Sequence, residues 1–140
     1  MERRAFLRYA ALLALGGAGV ARAESVYHRL QNPAAPTLLE KKHVPGVEVP
    51  SRVRSGEWFE VRVRVGYLVP HPSTPGHWIT WIELRGDGKP LARMEFPRGG
   101  VADPVAVFRI RLEKTTTLEA VENCNLHGTW ISEPVRVEVV

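Results

Sequence analysis

Residues 58–65 read WFEVRVRV, and the alternation within this segment decides the fold. The odd-numbered positions from 59 to 65 are Phe or Val, whereas the positions between them are Glu or Arg. Apolar side chains that recur at every second residue are typical of a strand with one buried face, whereas an amphipathic helix repeats about every 3.6 residues. The segment therefore predicts a half-buried β-strand.

Further strand-like runs follow at regular spacing, separated by turn signals rich in Gly and Pro. HWITWIEL at residues 77–84 is apolar on both faces, which is typical of a central strand of a sheet. Long segments with helical periodicity are absent from the sequence. The series predicts an all-β domain, an immunoglobulin-like antiparallel β-sandwich. It is completed by LARMEF at 91–96, PVAVFRIRL at 104–112 and EPVRVEVV at 133–140, with turns at RSGE, GDGKP and PRGG.

The first 23 residues of the chain differ in composition from the rest. An arginine-rich start precedes an apolar stretch of about 12 residues, too short for a membrane span of ~20, and a small-x-small motif ends at Ala23. Arg3 and Arg4, followed by Phe-Leu, resemble the twin-arginine export signal. An amphipathic first helix of a cytosolic protein is the alternative, but it leaves the cleavage motif unexplained. We expect export to the periplasm and removal of residues 1–23.

The mature chain is then predicted to consist of an arm, residues 24–39, and a single domain, residues 40–140, without membrane association. Removing four Arg and one Glu lowers the net charge from +4 to +1. The basic character therefore belongs mainly to the removed segment, and a nucleic-acid partner is not expected. His28 in the arm is expected to be a surface residue.

The remaining histidines and the one cysteine of the sequence occur in predicted loops or at strand edges. Imidazole and thiolate are good ligands for late first-row transition metals, and one cysteine cannot form an intramolecular disulfide. A single histidine in a loop is more often a surface residue, and Cys-x-x-His by itself is a weak signal. Together, the five residues favour a metal site: His43 in EKKHVP, His71 and His77 in HPSTPGH, and Cys124 and His127 in CNLHG.

Three motifs in this order resemble the iron-binding domain of the superoxide reductase family, which includes desulfoferrodoxin and neelaredoxin. They are EKKHVP at 40–45, HPSTPGHWITWIEL at 71–84 and CNLHG at 124–128. The resemblance extends from about Glu40 to the end of the chain. It implies a superoxide reductase of the type with one iron domain, in which one non-haem iron ion per chain reduces superoxide to hydrogen peroxide without releasing oxygen.

The resemblance also implies a role for each residue of the motifs. His43, His71, His77 and His127 correspond to equatorial imidazole ligands, and Cys124 corresponds to the axial thiolate. Lys42 corresponds to the family lysine that steers superoxide to the iron, and Glu40 to the glutamate that binds ferric iron. Here an extra lysine intervenes, so that Glu40 lies three residues before His43 and not two.

Two other classes of protein fit parts of the sequence. An exported cupredoxin-like electron carrier is also a small β-sandwich, but its copper site uses two His, one Cys and usually a late Met. This chain has no Met after Met94. A binding module with incidental histidines would bind no metal. For a superoxide reductase we expect superoxide as the substrate, an unidentified redox protein as the electron donor, and a homo-oligomer.

Overall fold

Two β-sheets pack face to face in the computed structural model, which describes residues 27–140. The predicted signal segment and the first residues of the arm lie outside the described residues. The three-stranded sheet has the order β1 (Pro45–Glu48), β3 (Phe59–Val65), β6 (Val105–Ile110). The larger sheet has the order β2 (Arg52–Val53), β9 (Val135–Val139), β7 (Thr116–Cys124), β4 (Ile79–Gly86), β5 (Lys89–Glu95), and β8 (Gly128–Ile131) also pairs with β7. Strand pairs are antiparallel, except that the short β2 runs parallel to β9. The predicted β-sandwich is confirmed.

The described chain begins with an arm and one short helix and continues as strands. No helix among the described residues is long and apolar enough to cross a membrane. The helix is α1, Leu38–His43, and it directly precedes β1 in the chain.

The core lies between the two sheets and follows the predicted alternation. Val61 and Val63 of β3 are completely buried, while Glu60 and Arg62 between them are exposed. They pack in one apolar cluster with residues of β4, including Ile82, which is also completely buried. β4 lies between β5 and β7, so the prediction of a central strand is confirmed.

Strand β7 was not predicted, although it pairs with three other strands and ends at Cys124. Its inward-facing positions include Leu118 and Ala120, which belong to the core. The alternation is interrupted at Glu122, a charged residue type that the structure nevertheless buries completely. A glutamate at a core position breaks the apolar alternation by which a half-buried strand is recognised in a sequence.

The segment before β1 also differs from the prediction, because His43 is the last residue of a helix and not part of a loop. Thr37 caps this helix: its hydroxyl accepts a hydrogen bond from the backbone N–H of Glu40, and the Glu40 carboxylate accepts one from the N–H of Thr37. This Thr-x-x-Glu arrangement is a capping box, which the sequence displays. The predicted domain boundary at residue 40 therefore falls inside α1.

The described part of the arm packs against the domain. His28 pairs in parallel with β8 through two backbone hydrogen bonds of 2.9 Å, to Thr129 and Ile131. Leu30 is buried in a small apolar cluster with Val44 and Trp130. The His28 side chain is exposed, as expected, and its ring centroid lies 4.7 Å from that of Trp130. The arm thus covers the side of the domain next to α1.

Candidate metal centre

Four imidazole rings form a closed circuit at one end of the sandwich. Ring centroids are separated by 4.8 Å between His43 and His71, and by 4.7 Å between His71 and His77. The circuit closes through His127, which lies 5.0 Å from His77 and 4.8 Å from His43. Adjacent rings meet at interplanar angles from 58° to 81°. We call these four residues the histidine ring.

Cys124 lies beside the histidine ring and is almost completely buried. One ligand atom from each of His43, His71, His77 and Cys124 lies within 4.8 Å of all the others, a spacing that could hold a metal ion. The fourth imidazole is also close, with 3.6 Å between the Cys124 Sγ and the His127 Nδ1. The structure therefore brings together the five residues that the sequence analysis singled out.

Separate elements supply these side chains to the same end of the fold. His43 ends α1, Cys124 ends β7, and His127 lies in the tight turn between β7 and β8. His71 and His77 lie in the loop between β3 and β4. That loop turns sharply at Gly66, whose φ is 80° and where a Cβ would lie only 2.4 Å from the backbone nitrogen of His71. Only glycine fits this approach without strain.

Hydrogen bonds to carbonyl groups set the tautomer of two rings. The Nδ1 atoms of His43 and His71 lie 2.7 Å from the carbonyl oxygens of Leu39 and Pro72. Because a carbonyl oxygen only accepts, each Nδ1 carries the proton and each Nε2 keeps a free lone pair. Carbonyl contacts of this kind orient metal-binding histidines in proteins.

The Nε2 atoms of His43, His71 and His77 are buried and have no hydrogen-bond partner among the described residues. A buried polar atom without a partner costs about 1–3 kcal/mol. Three such atoms beside one thiol are costly unless a metal ion accepts their lone pairs. The residues present therefore fit a metal ion.

Burial favours the neutral form of three of the four imidazoles. It lowers the pKa of His71 from its ordinary value of 6.5 to about 4. Burial also lowers the pKa of His43 and of His77, and the positive charge of Lys42 lowers both further. Neutral imidazole is the form that binds a metal, so these three side chains are in the metal-binding form near pH 7.

The thiol of Cys124 is subject to opposing influences. Burial raises its pKa, while backbone N–H groups of Leu126 and His127 donate hydrogen bonds to the sulfur and oppose that rise. A bound cation would favour the thiolate much more strongly. Glu122, two residues earlier, is completely buried, and burial raises the pKa of its carboxyl well above the ordinary value. Negative charge on this carboxyl also raises the pKa of the Cys124 thiol.

The two predicted catalytic residues occupy different positions. Lys42 is half-buried, and its charge acts on His43 and His77, so it lies beside the histidine ring. Glu40 is buried, and its two carboxylate oxygens accept hydrogen bonds from the N–H groups of Thr37 and Gln31, at 3.0 and 3.2 Å. No oxygen of Glu40 belongs to the group of ligand atoms described above. Its role toward ferric iron stays a prediction.

Sequence reasoning did not identify Asn125 as part of the site. Its side-chain amide bonds to the backbone of Gly76 and of Trp78, on the two sides of His77. Trp130 packs against the other side of the site: its ring stacks on His43 with 5.2 Å between centroids. The one signal for Asn125 was its place between Cys124 and His127 in the CNLHG motif.

The fold and the buried histidine–cysteine cluster together define a β-sandwich protein with a candidate metal site. Residues 36–133 match the family model described as desulfoferrodoxin, so the chain belongs to the desulfoferrodoxin family.

Among relatives, the superoxide reductase of Pyrococcus horikoshii is 40% identical over 101 residues, covering 66% of this chain and 85% of the relative. The solved superoxide reductase (neelaredoxin) of Ignicoccus hospitalis superimposes with a TM-score of 0.72 at 31% identity, covering 84% of this chain and 98% of that one. The reduced neelaredoxin of Archaeoglobus fulgidus gives a TM-score of 0.63 at 32% identity, covering 81% and 98%.

Proposed function

We propose that this protein is a superoxide reductase with one iron ion held by the histidine ring and Cys124. The observation that carries the proposal is the arrangement of four imidazoles beside one buried cysteine, in a chain whose relatives are named superoxide reductases. Bound iron supplies one electron, which together with two protons converts superoxide to hydrogen peroxide.

The residues of the chain contribute binding, charge and proton supply. As a thiolate, Cys124 would place an electron-donating ligand on the buried side of the site, where the N–H groups of Leu126 and His127 stabilise its negative charge. Neutral imidazoles add no charge of their own, so a bound cation keeps its attraction for a small anion. The ammonium of Lys42 attracts superoxide and can hold a water molecule that donates a proton.

The geometry does not favour a cupredoxin-like electron carrier. A blue-copper site is trigonal, with two imidazoles, one thiolate and a weak axial ligand that is usually Met. Here four imidazoles lie beside one sulfur, and the sequence has no methionine after Met94. The arrangement instead supplies a thiolate on one side of a set of imidazoles.

The proposal is tested by metal analysis and by the fate of superoxide. Purified protein is expected to contain about one iron ion per chain, and its oxidised form to show a thiolate-to-iron charge-transfer absorption. The reduced protein should consume superoxide and form hydrogen peroxide without releasing oxygen. Cys124→Ser should lose the absorption and the activity, whereas His28→Ala, which removes a histidine outside the ring, should keep both. Iron-free protein, or a fully active Cys124→Ser variant, would falsify the assignment.

We also propose that residues 1–23 direct export to the periplasm by the twin-arginine route, ahead of an arm at 24–39 and the domain at 40–140. The Arg3-Arg4 pair and the small-x-small motif support the proposal. Replacing both arginines by lysine should retain the precursor in the cytoplasm of the native host. Periplasmic protein in unchanged amount would contradict this route.

An exported reductase needs an electron donor in the same compartment. We propose a small one-electron redox protein as that donor, and a homo-oligomeric enzyme. Periplasmic extract should reduce the oxidised protein, seen as loss of its charge-transfer absorption, and sedimentation should give a mass above 15.7 kDa. A monomer, or a protein that only added chemical reductants reduce, would contradict these expectations.

A further inference from the structure

The imidazole of His77 is held differently from those of His43 and His71. The rings of His43 and His71 are each fixed by a hydrogen bond of 2.7 Å from Nδ1 to a carbonyl oxygen. No hydrogen bond to the His77 ring occurs within the described residues. Its position must therefore depend on how firmly the backbone around it is held.

Asn125 holds that backbone from both sides. Its Oδ1 accepts a hydrogen bond of 2.9 Å from the N–H of Trp78, and its Nδ2 donates one of 2.9 Å to the carbonyl oxygen of Gly76. The backbone N–H of Asn125 adds a third, of 3.2 Å, to the carbonyl oxygen of Trp78. His77 thus lies between two residues that are tied to one asparagine. Thr74 pairs with the backbone of His77 itself.

The same asparagine begins the turn that surrounds the sulfur. Asn125 follows Cys124 directly, and the next two residues, Leu126 and His127, donate their backbone N–H groups to the cysteine sulfur. One amide side chain therefore connects the segment that carries His77 to the turn that surrounds the thiolate. Small displacements of a metal ligand alter both affinity and spectrum, because bond lengths at a metal tolerate little change.

We propose that Asn125 is a positioning residue that fixes His77 relative to the Cys124 thiolate and thereby sets the metal affinity and the thiolate-to-metal charge-transfer energy of the site. The inference rests on the proposed function in that the cluster must bind a metal ion. It assigns to Asn125 no contact with substrate. Loss of outer partners of this kind typically costs about 10–100-fold in metal affinity.

Asn123 provides a matched control. It lies on the other side of Cys124, and its side chain also joins neighbouring strands, through hydrogen bonds with Thr80 at 2.8 Å and Thr129 at 3.1 Å. Neither hydrogen bond involves residues 76–78. Asn123→Ala and Asn125→Ala therefore each remove two side-chain hydrogen bonds beside the same cysteine, and only Asn125→Ala removes bonds to the residues that flank His77.

The test uses Co²⁺ as a probe, added to metal-free protein in competition with a chelator. Asn125→Ala should raise the Co²⁺ dissociation constant about 10–100-fold and shift or weaken the thiolate-to-cobalt charge-transfer band. Asn125→Asp keeps the Oδ1 acceptor for Trp78 but places a second acceptor oxygen against the Gly76 carbonyl, so it should also raise the dissociation constant and shift the band. Asn123→Ala should change the dissociation constant by less than about threefold.

The outcomes separate this inference from the proposed function. If wild-type protein binds Co²⁺ through its thiolate and consumes superoxide when loaded with iron, but Asn125→Ala behaves as Asn123→Ala does in affinity and spectrum, only the role of Asn125 is overturned. If wild-type protein shows no thiolate-to-metal band, both fail. Should Asn125→Ala not fold, Asn125→Asp decides: wild-type affinity and spectrum in that variant would overturn the inference.

Discussion

The sandwich core and the histidine ring are both buried parts of one domain, but they are completed in different ways. Core side chains such as Val63 and Ile82 are fully buried against other apolar groups and need no further partner. In the ring, the Nε2 atoms of His43, His71 and His77 are buried without a partner in residues 27–140. The core therefore stabilises the fold by itself, whereas the ring reduces stability until a metal ion binds.

Shortening a core side chain should distinguish the core from the histidine ring most clearly. Ile82→Ala removes buried methyl groups and leaves a cavity, so the free energy of unfolding should fall by about 2–5 kcal/mol. The folded fraction should keep its charge-transfer absorption, because Ile82 lies in the apolar cluster between the sheets and is not one of the ring residues. Urea unfolding and visible absorption measure the two effects. His77→Ala is the matched control: it should lose the absorption and change the stability of metal-free protein far less.

Metal removal should have the next largest effect. A ligand that binds only the folded state stabilises it by about 2.7 kcal/mol at 100 times its dissociation constant and about 4.1 kcal/mol at 1,000 times. Treating iron-loaded protein with a chelator should therefore lower the melting temperature, and adding metal should restore it. Ile82→Ala should show the same difference between metal-bound and metal-free forms. Identical melting curves with and without metal would show that the ring does not depend on a metal ion.

Acid should destabilise the ring and leave the apolar core unaffected. In metal-free protein the pKa of His71 is about 4 when folded, against 6.5 when unfolded, because burial disfavours the imidazolium. The unfolded chain therefore binds the proton more tightly, and stability is complete above pH 6.5 and falls as the pH drops toward 4. For a shift of this size the loss is about 3 kcal/mol at most.

The measurement is the difference in unfolding free energy between wild type and His71→Gln as the pH falls. The wild type should lose more stability than the variant between pH 6.5 and 4. Above that range the difference between their free energies of unfolding should be constant. A difference that stays constant down to pH 4 would show that His71 titrates normally. Bound metal should protect the wild type, since a coordinated imidazole cannot take up the proton.

The sequence predicts the core better than the other elements. Strand β3 was predicted from its alternation, and strand β4 from an apolar run on both faces. Both signals are clear because the environment of each strand face stays the same along the strand. Strand β7 was not recognised, since Glu122 occupies a core position in it. Helix α1 has only six residues, too few to show a period, and it depends on the capping box between Thr37 and Glu40.

The sequence predicted the candidate ligand residues of the site but not the residues that hold them in place. The motif resemblance gave the five residues that the structure brings together, because each lies within a short recognisable stretch. The hydrogen bonds of Asn125 join residue 125 to residues 76 and 78, and those of Glu40 reach back to residue 31. Such contacts depend on how separate loops meet in space, which no local pattern in the sequence records.

Charge beside the ring can be tested with the two adjacent lysines of α1. The charge of Lys42 lowers the pKa of His43 and His77, whereas no such effect of Lys41 on the ring is found. Lys42→Ala should therefore slow the reaction of the reduced enzyme with superoxide by about tenfold and weaken its salt dependence. Lys41→Ala should change the rate little. Stopped-flow measurement of both variants decides, and equal losses would contradict the assignment of Lys42.

The smallest effect is expected for Glu40. Its substitution tests whether this residue only supports the histidine ring or also binds the metal. Its carboxylate caps α1 and binds the arm through Gln31, so Glu40→Ala should lower the free energy of unfolding by about 1 kcal/mol. The charge-transfer absorption of the oxidised protein should stay unchanged, because both carboxylate oxygens already accept backbone hydrogen bonds. Glu48→Ala, at an exposed position of β1, is the control for stability. A spectral shift in Glu40→Ala alone would show that Glu40 leaves the cap and reaches the oxidised metal.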